Sequence, residues 1–183
     1  ISINYNNSNG LKNTLESLKN QEFSEFELVI VDGKSTDNSM KIVNKYSEMV
    51  TTIISEKDNG IYDAMNKGIK SSTGYFLCFL NSGDILFNEH SIKNALDAID
   101  DISTGYFFNA IIKSDISVYK SPKRYNKEKY EINAKFIPNH QAVFFPRVFY
   151  SNNLYQTNLT ICSDVDYIFK LSNQIFYLFD RLF

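Results

Sequence analysis

The chain has 183 residues, of which 43% are hydrophobic and 22% are charged. A chain of this length and composition can bury a sizeable core as one compact domain, and its composition is not that of a disordered protein. The 19 basic residues nearly balance the 21 acidic ones, which argues against the basic surface of a nucleic-acid-binding protein and against an acidic tail.

The first hundred residues alternate predicted strands with predicted helices. Short apolar or β-branched runs indicate the strands, and apolar residues that recur every three or four positions indicate the helices. The strands are predicted at 1–3, 28–31, 50–55 and 75–80, and the helices between them carry Leu11, Leu15 and Leu18, then Met40 and Val43, then Ile61, Ala64 and Met65. Such an alternation favours a mostly parallel sheet whose strands end at one shared edge.

Polar turns follow the buried strands at this edge. The second strand ends at Asp32, where Gly33 is expected to relax the turn. The fourth strand runs into the turn 81–84, which ends in a single carboxylate, Asp84. The ligand crevice of a parallel sheet lies outside the carboxyl ends of its strands, so Asp84 is placed where a metal ion and phosphates could bind.

The second half of the chain has a different pattern. Residues 106–112 and 116–119 are predicted as antiparallel strands, and 120–135 is basic and poorly periodic, which indicates a loop over the edge of the sheet. The apolar run 142–145 is predicted as a strand, and the proline that follows it indicates an edge strand or the end of the strand. Ser163 is expected to cap a further helix.

The cysteines and the hydropathy of the chain indicate in which cellular compartment it is expected. Cys78 and Cys162 follow neither disulfide-framework nor metal-ligand spacing, which suits a reducing compartment and makes the cytoplasm the expected location. No run of eighteen apolar residues and no signal peptide occurs in the sequence. The chain starts inside a predicted strand without a Met, which leaves trimmed ends open as an alternative.

Six ordered motifs together resemble family 2 glycosyltransferases of the GT-A fold. The motifs are Tyr5-Asn6, 31–37, 56–68, 80–84, Asn139-His140-Gln141 and 163–166. A set of motifs in this order is far more specific than a single Asp-Gly-x-Ser-Thr-Asp turn. The resemblance covers nearly the whole chain and implies an α/β, Rossmann-like three-layer sandwich with a mostly parallel central sheet and antiparallel additions in the C-terminal half.

The resemblance also implies an activity. Members of the family carry out inverting, metal-dependent transfer of a sugar from a nucleotide sugar, often a UDP-sugar, to a hydroxyl of a glycan or lipid-linked acceptor. Members most similar to this chain serve bacterial polysaccharide, capsule or lipopolysaccharide assembly. The expected arrangement is one domain over 1–183, in which 1–100 bind the nucleotide sugar and 101–183 bind the acceptor.

Two carboxylates carry the chemistry that the resemblance implies. Asp84 matches the metal position and is expected to hold Mn²⁺ or Mg²⁺, although residues 81–83 lack the second carboxylate of the commoner motif, which predicts weaker metal binding without nucleotide. Asp164 matches the general base that removes a proton from the acceptor hydroxyl. The alternatives are a turn aspartate at Asp84 and a helix-stabilising aspartate at Asp164.

Four residues match nucleotide-binding positions of the family. Asp32 corresponds to the aspartate that accepts from an N–H of uracil, and Tyr5 is expected to stack on the base or flank it. Asn66 matches a contact to nucleotide or ribose, and Lys57 is a candidate replacement for an arginine that some relatives use. Each side chain also has a structural alternative, as a satisfied loop carboxylate, a packed tyrosine or a polar surface group.

The acceptor side carries His140 and Gln141, which are expected at the rim of the active site. The alternative for His140 is a satisfied core histidine. The basic stretch 120–129 is either a contact to an anionic lipid-linked acceptor at the membrane surface or a solvated loop. The apolar tail 175–183 is expected to pack on the core, to pair with a second copy in a homodimer or to lead to a membrane-binding segment.

Two other functions remain as alternatives. A sugar nucleotidyltransferase would share the α/β architecture, but the chain lacks a Gly-rich phosphate-binding loop followed by a lysine near its start. A non-catalytic module that binds glycans or nucleotide sugars is compatible with the reduced metal motif.

Overall fold

A computed structural model describes residues 1–113, 118–121, 138–159, 161–171 and 176–182. The strands are β1 (Ser2–Asn4), β2 (Val29–Asp32), β3 (Thr52–Ser55), β4 (Phe76–Leu77), β5 (Gly105–Lys113), β6 (Val118–Ser121), β7 (Val143–Pro146) and β8 (Phe176–Leu182). The helices are α1 (Ser8–Lys19), α2 (Ser39–Lys45), α3 (Ile61–Lys70), α4 (Ser91–Leu96), α5 (Arg147–Tyr150) and α6 (Ser163–Leu171). Short 3₁₀ turns lie at Ser47–Met49 and His140–Ala142.

The first three strands form a parallel sheet in the order β1-β2-β3. Every residue of β2 is buried, as expected for the central strand of a sheet covered on both faces. The predicted leucines of α1 are buried as well, and α1 packs beside α2. Asn4, Asp32 and Ser55 stand side by side where the three strands end. The predicted alternation and the predicted shared edge are therefore both confirmed.

The predicted strand at 75–80 is divided between two partners. Residues 76 and 77 form β4, which pairs antiparallel with β7. The chain then runs beside β1, where the Leu80 amide donates to the Ile1 carbonyl at 2.9 Å and the Ser82 amide donates to the Ile3 carbonyl at 3.0 Å. This segment joins the two sheets and brings the turn 81–84 to the edge where β1 and β2 end.

The C-terminal half adds mainly antiparallel strands. β5 pairs antiparallel with β6, as predicted, antiparallel with β7 and parallel with β8. β7 lies between β4 and β5 and is therefore not an edge strand; Pro146 is the last residue of the strand instead. The apolar tail therefore supplies a strand to the chain's own sheet, which agrees with the first of its three alternatives. The short helix α5 was not predicted. The predicted loop at 120–135 lies outside the described residues except for 120 and 121, which belong to β6.

Close packing positions α3 on the sheet. A Cβ atom at Gly68 would lie 2.6 Å from Cγ2 of Ile1, so any larger residue would push the helix away from β1 and β2. Ala64, Met65 and Ile69 of the same helix are buried in the largest hydrophobic cluster. Within the described ranges, no helix combines the length and apolar character needed to cross a membrane.

Candidate active site

Two adjoining clefts open at the carboxyl edge of the parallel sheet. The large cleft has a volume of about 570 Å³ and is lined by residues from β1, the turn after β2, the β3–α3 loop and the turn after residue 80. The small cleft has a volume of about 240 Å³ and is lined by residues of α3, the turn at 138–141 and Asp164. Ile61 and Asn81 line both clefts, so the two clefts share part of their walls.

Asp32 is fully buried and lines neither cleft. Its Oδ1 atom accepts from Asn4 Nδ2 at 2.7 Å and from Ser35 Oγ at 2.6 Å. Its Oδ2 atom accepts from the Ser35 amide at 2.8 Å and from Ser55 Oγ at 3.2 Å. The carboxylate therefore ties together the ends of β1, β2 and β3, and base recognition by Asp32 stays a prediction.

Asn4 extends this hydrogen-bond network towards the turn 81–84. Its amide oxygen accepts from Ser82 Oγ at 2.8 Å while its amide nitrogen donates to Asp32. Asn4 is itself buried and lines the large cleft. The floor of this cleft is thus a continuous set of hydrogen-bonded polar groups that links the strand ends to the turn 81–84.

The turn after β2 differs from its predicted form. The residue with a left-handed backbone is Lys34, with a φ of 63°, and not Gly33. A Cβ atom at Gly33 would lie 2.5 Å from Asp58 Oδ2 and 3.1 Å from Cδ2 of Tyr5. Gly33 is therefore needed for space, because two side chains of the large cleft approach its backbone closely.

Asp58 is a site residue that the sequence analysis did not single out. It follows β3 at the same sheet edge and lines the large cleft. Its Oδ1 atom accepts from the Gly60 amide at 3.0 Å, and its Oδ2 atom lies over Gly33. The sequence feature that could have identified Asp58 is its position just after a strand end.

Tyr5 stands beside Asp58 with 67% of its surface exposed, which leaves one ring face free to stack on a flat ligand.

Lys57 and Asn66 were predicted to contact the nucleotide. Lys57 lines the large cleft with an exposed side chain. Asn66 is buried and lines neither cleft. Its Nδ2 donates to the Tyr155 carbonyl at 3.0 Å, and its Oδ1 accepts from the Tyr155 amide at 2.8 Å. Both polar atoms of Asn66 therefore hold α3 against the segment that follows α5.

The turn 81–84 folds around the Asp84 carboxylate. Asp84 Oδ2 accepts from the Asn81 amide at 3.0 Å, and Gly83 takes a φ of 109° that favours glycine. The buried Thr14 hydroxyl of α1 accepts from the Gly83 amide at 3.0 Å and donates to the Asp84 carbonyl at 2.8 Å. Burial raises the pKa of Asp84, because a desolvated carboxyl group favours its neutral form.

The donor atoms of this turn suit a hard cation. Asn81 Oδ1 is buried and, among the described residues, has no hydrogen-bond partner, and the Asp84 carboxylate lies in the same turn. Within the described residues no three His, Cys, Asp or Glu side chains are grouped to hold a metal. Two oxygen ligands fit Mg²⁺ or Mn²⁺ that takes its remaining ligands from phosphate and water.

Asp164 is the carboxylate of the small cleft. It lies in the first turn of α6, and its Oδ1 accepts from the Tyr62 hydroxyl at 3.1 Å. Asp166 faces elsewhere, as predicted, where it accepts from Gln156 Nε2 at 3.0 Å and pairs with Lys170 Nζ at 2.8 Å. The structure therefore brings Asp164, and not Asp166, to the cleft.

His140 lines the small cleft and is 8% exposed. Its ring packs against Phe79 and Tyr155, and Nε2 has no hydrogen-bond partner among the described residues. Burial lowers the pKa of His140 to about 4, so the imidazole is neutral at neutral pH. Gln141 lines the same cleft, and its amide donates to Asn139 Oδ1 at 3.0 Å. Both residues therefore line the small cleft, and their place at the rim of an active site stays a prediction.

Comparison with known protein families matches residues 1–168 to the family described as Glycosyl transferase family 2. A curated relative, the PGL/p-HBAD biosynthesis glycosyltransferase of Mycobacterium bovis, is 38% identical over 81 residues. That match covers 43% of this chain and 32% of the relative, so the chain spans about a third of its length.

Solved structures provide a second comparison. S. aureus TarS 1-349 in complex with UDP superimposes with a TM-score of 0.77 at 21% identity, over 98% of this chain and 56% of that one. TarS 1-349 has also been solved with UDP-GlcNAc. The mannosyltransferase PcManGT from Pyrobaculum calidifontis, in complex with GDP-Man and Mn²⁺, matches with a TM-score of 0.71 at 15% identity, over 99% of this chain and 53% of that one. These likenesses concern the fold.

Proposed function

Because the chain belongs to glycosyl transferase family 2 and has the GT-A fold, we propose that it is an inverting enzyme that uses a UDP-sugar as donor. The acceptor is a hydroxyl of a glycan or lipid-linked glycan, and the sugar is a hexose or an N-acetylhexosamine. The observation that supports this most strongly is the pair of adjoining clefts, which places nucleotide-suited groups next to the Asp164 carboxylate. The proposed setting is bacterial surface polysaccharide assembly at the inner face of the membrane.

The large cleft suits a nucleoside diphosphate. The exposed Tyr5 ring supplies a stacking surface for the base, and Asp58 Oδ2 supplies an acceptor for the N–H of uracil. Lys57 brings a positive charge to the same cleft, where it would offset the charge of the phosphates. TarS with UDP and PcManGT with GDP-Man supply the family precedent for a nucleotide at this fold.

The turn 81–84 would hold the divalent cation through Asp84 and the Asn81 amide oxygen. A bound Mn²⁺ or Mg²⁺ stabilises the negative charge that develops on a diphosphate leaving group. The backbone N–H of Asn81 donates to the Asp84 carboxylate, and the Thr14 hydroxyl bonds to the backbone of Gly83 and Asp84 in the same turn. The carboxylate ligand is therefore oriented before any cation binds.

The transfer step follows from the order of groups along the two clefts. The acceptor hydroxyl attacks the anomeric carbon of the donor sugar from the face opposite the diphosphate. Its oxygen forms the new C1–O bond, its proton passes to Asp164, and the old C1–O bond breaks with its electron pair leaving on UDP. A half-buried carboxylate at a helix start, with one oxygen held by Tyr62, is in a suitable position to receive that proton.

Calorimetric titration with UDP and GDP, each with and without Mn²⁺, tests the donor half of the proposal. We expect UDP to bind more tightly than GDP and Mn²⁺ to strengthen UDP binding about tenfold or more. Asp84→Ala is expected to remove the Mn²⁺ effect and to leave metal-free UDP binding unchanged. Absence of binding for either nucleotide in every condition would contradict the proposal and favour a glycan-binding module.

A second titration tests the role of Asp58. Asp58→Asn is expected to weaken UDP binding about tenfold, because a charge-assisted hydrogen bond to the base would be replaced by a weaker neutral contact. Asp63→Asn is the matched control. Asp63 lies nearby in the first turn of α3, but its carboxylate accepts from the Asn59 amide and forms an ion pair with Lys67. Equal UDP affinity of Asp58→Asn and the native chain would exclude Asp58 from base recognition.

A further inference from the structure

Tyr62 connects two parts of the chain that are far apart in sequence. It lies in the first turn of α3, next to Ile61, which lines both clefts. Its hydroxyl donates to Asp164 Oδ1 at 3.1 Å and accepts from the Ser163 amide at 3.2 Å. One hydroxyl thus contacts both the proposed base and the backbone at the start of α6.

The ring of Tyr62 is fixed by stacking. It lies on the Tyr155 ring with centroids 5.6 Å apart and an interplanar angle of 14°, and Tyr155 stacks in turn on Tyr167 at 4.0 Å. Asn66, one turn further along α3, is bonded twice to the Tyr155 backbone. Tyr62 itself lines the small cleft, and its stacking on the buried Tyr155 fixes where its hydroxyl lies.

Few other groups interact with the Asp164 carboxylate. Among the described residues, the Tyr62 hydroxyl is the one group that donates a hydrogen bond to it. The other titratable groups that face it are His140 from the turn at 138–141 and Tyr155 from the segment after α5. Burial keeps His140 neutral at neutral pH, and Asp166 on the same helix is already paired with Lys170.

We propose that Tyr62 is the positioning residue of Asp164: its hydrogen bond holds the carboxylate towards the small cleft. This rests on the proposed role of Asp164 as general base. A hydrogen bond donated to a carboxylate is strong and directional, so it restricts the rotation of the Asp164 side chain. Burial raises the pKa of the Tyr62 hydroxyl, so it remains a donor throughout the neutral range.

Carboxyl ¹³C NMR spectra of the aspartate-labelled protein at neutral pH test the proposal without any substrate. The signal that disappears in Asp164→Asn identifies Asp164. In Tyr62→Phe, the chemical shift of this signal is expected to change, because the carboxylate loses its hydrogen-bond donor. The phenylalanine ring keeps the stacking on Tyr155, so thermal unfolding is expected to show a folded variant.

Tyr155→Phe is the matched control. The Tyr155 ring is stacked in the same row, but its hydroxyl is buried and has no hydrogen-bond partner among the described residues. The Asp164 signal is expected to keep its chemical shift in this variant. An unchanged Asp164 signal in Tyr62→Phe, or an equal change in both variants, would overturn the proposal. The spectra report on Asp164 in the free protein, so their outcome is separate from whether UDP binds or a sugar is transferred.

Discussion

Asp164→Asn is expected to lower kcat for sugar transfer by about 10²- to 10⁴-fold, the range that general bases contribute, while UDP binding remains unchanged. The amide has nearly the same shape as the carboxylate and can still contact the Tyr62 hydroxyl. It cannot accept a proton from the acceptor at neutral pH. Because Asp164 does not line the large cleft, the donor affinity does not depend on it.

The measurement is release of UDP from UDP-GlcNAc and other UDP-sugars with Mn²⁺, with water or added glycans as acceptor. Asp166→Asn is the matched control, since Asp166 lies two residues along the same helix and is held by Gln156 and Lys170 outside the cleft. This variant is expected to keep kcat within about threefold of the native value, as for a surface change away from the reaction. Normal transfer by Asp164→Asn would show that another group is the base.

The strand and helix pattern was predictable because it depends on local periodicity. β2 is a run of apolar residues that ends in an aspartate, and the leucines of α1 recur at helical spacing. The edge at which these elements end follows from the topology of parallel sheets, so the place of the site was predictable as well. The C-terminal strands were also predicted from local patterns, and the observed antiparallel pairing of β5 with β6 and β7 agrees with the antiparallel additions that the resemblance implies.

The division of the strand at 75–80 could not be predicted from periodicity. A run of apolar residues shows that a strand is buried, but it does not show which neighbours bond to each part of it. Here Phe76 and Leu77 pair with β7, and the following residues pair with the backbone at the start of the chain. Such pairing depends on residues nearly seventy positions away and is set by the packing of the whole sheet.

The individual roles of polar residues at the shared edge were the least predictable feature. Asp32, Asp58 and Asn66 all belong to motifs of the resemblance, and all three carry side chains that can bind a nucleotide. The sequence does not show that Asp32 and Asn66 have their hydrogen-bonding atoms engaged inside the fold while Asp58 has an oxygen beside Tyr5. The difference between these residues is the burial of their side chains, which depends on the tertiary structure and not on the local sequence.

Asp32→Ala is expected to lower the free energy of unfolding by about 3–5 kcal/mol, in the range found when one partner of a buried charged network is removed. The carboxylate accepts four hydrogen bonds from Asn4, Ser35 and Ser55. Without it, the buried Asn4 amide and the half-buried Ser35 donors would lose their acceptor, and a buried donor left unpaired costs about 1–3 kcal/mol before the structure relaxes.

Urea unfolding measures this loss as a fall in the midpoint concentration at an unchanged slope. Asp37→Ala is the matched control, because Asp37 lies in the same turn and accepts from the Ser8 and Ser39 amides at an exposed position. It is expected to be much less destabilising. Asp32→Ala also decides between Asp32 and Asp58 as the residue that reads the base. If Asp32→Ala unfolded at the native midpoint and lost UDP binding, Asp32 would read the base, and Asp58 would be a loop carboxylate that shapes the cleft.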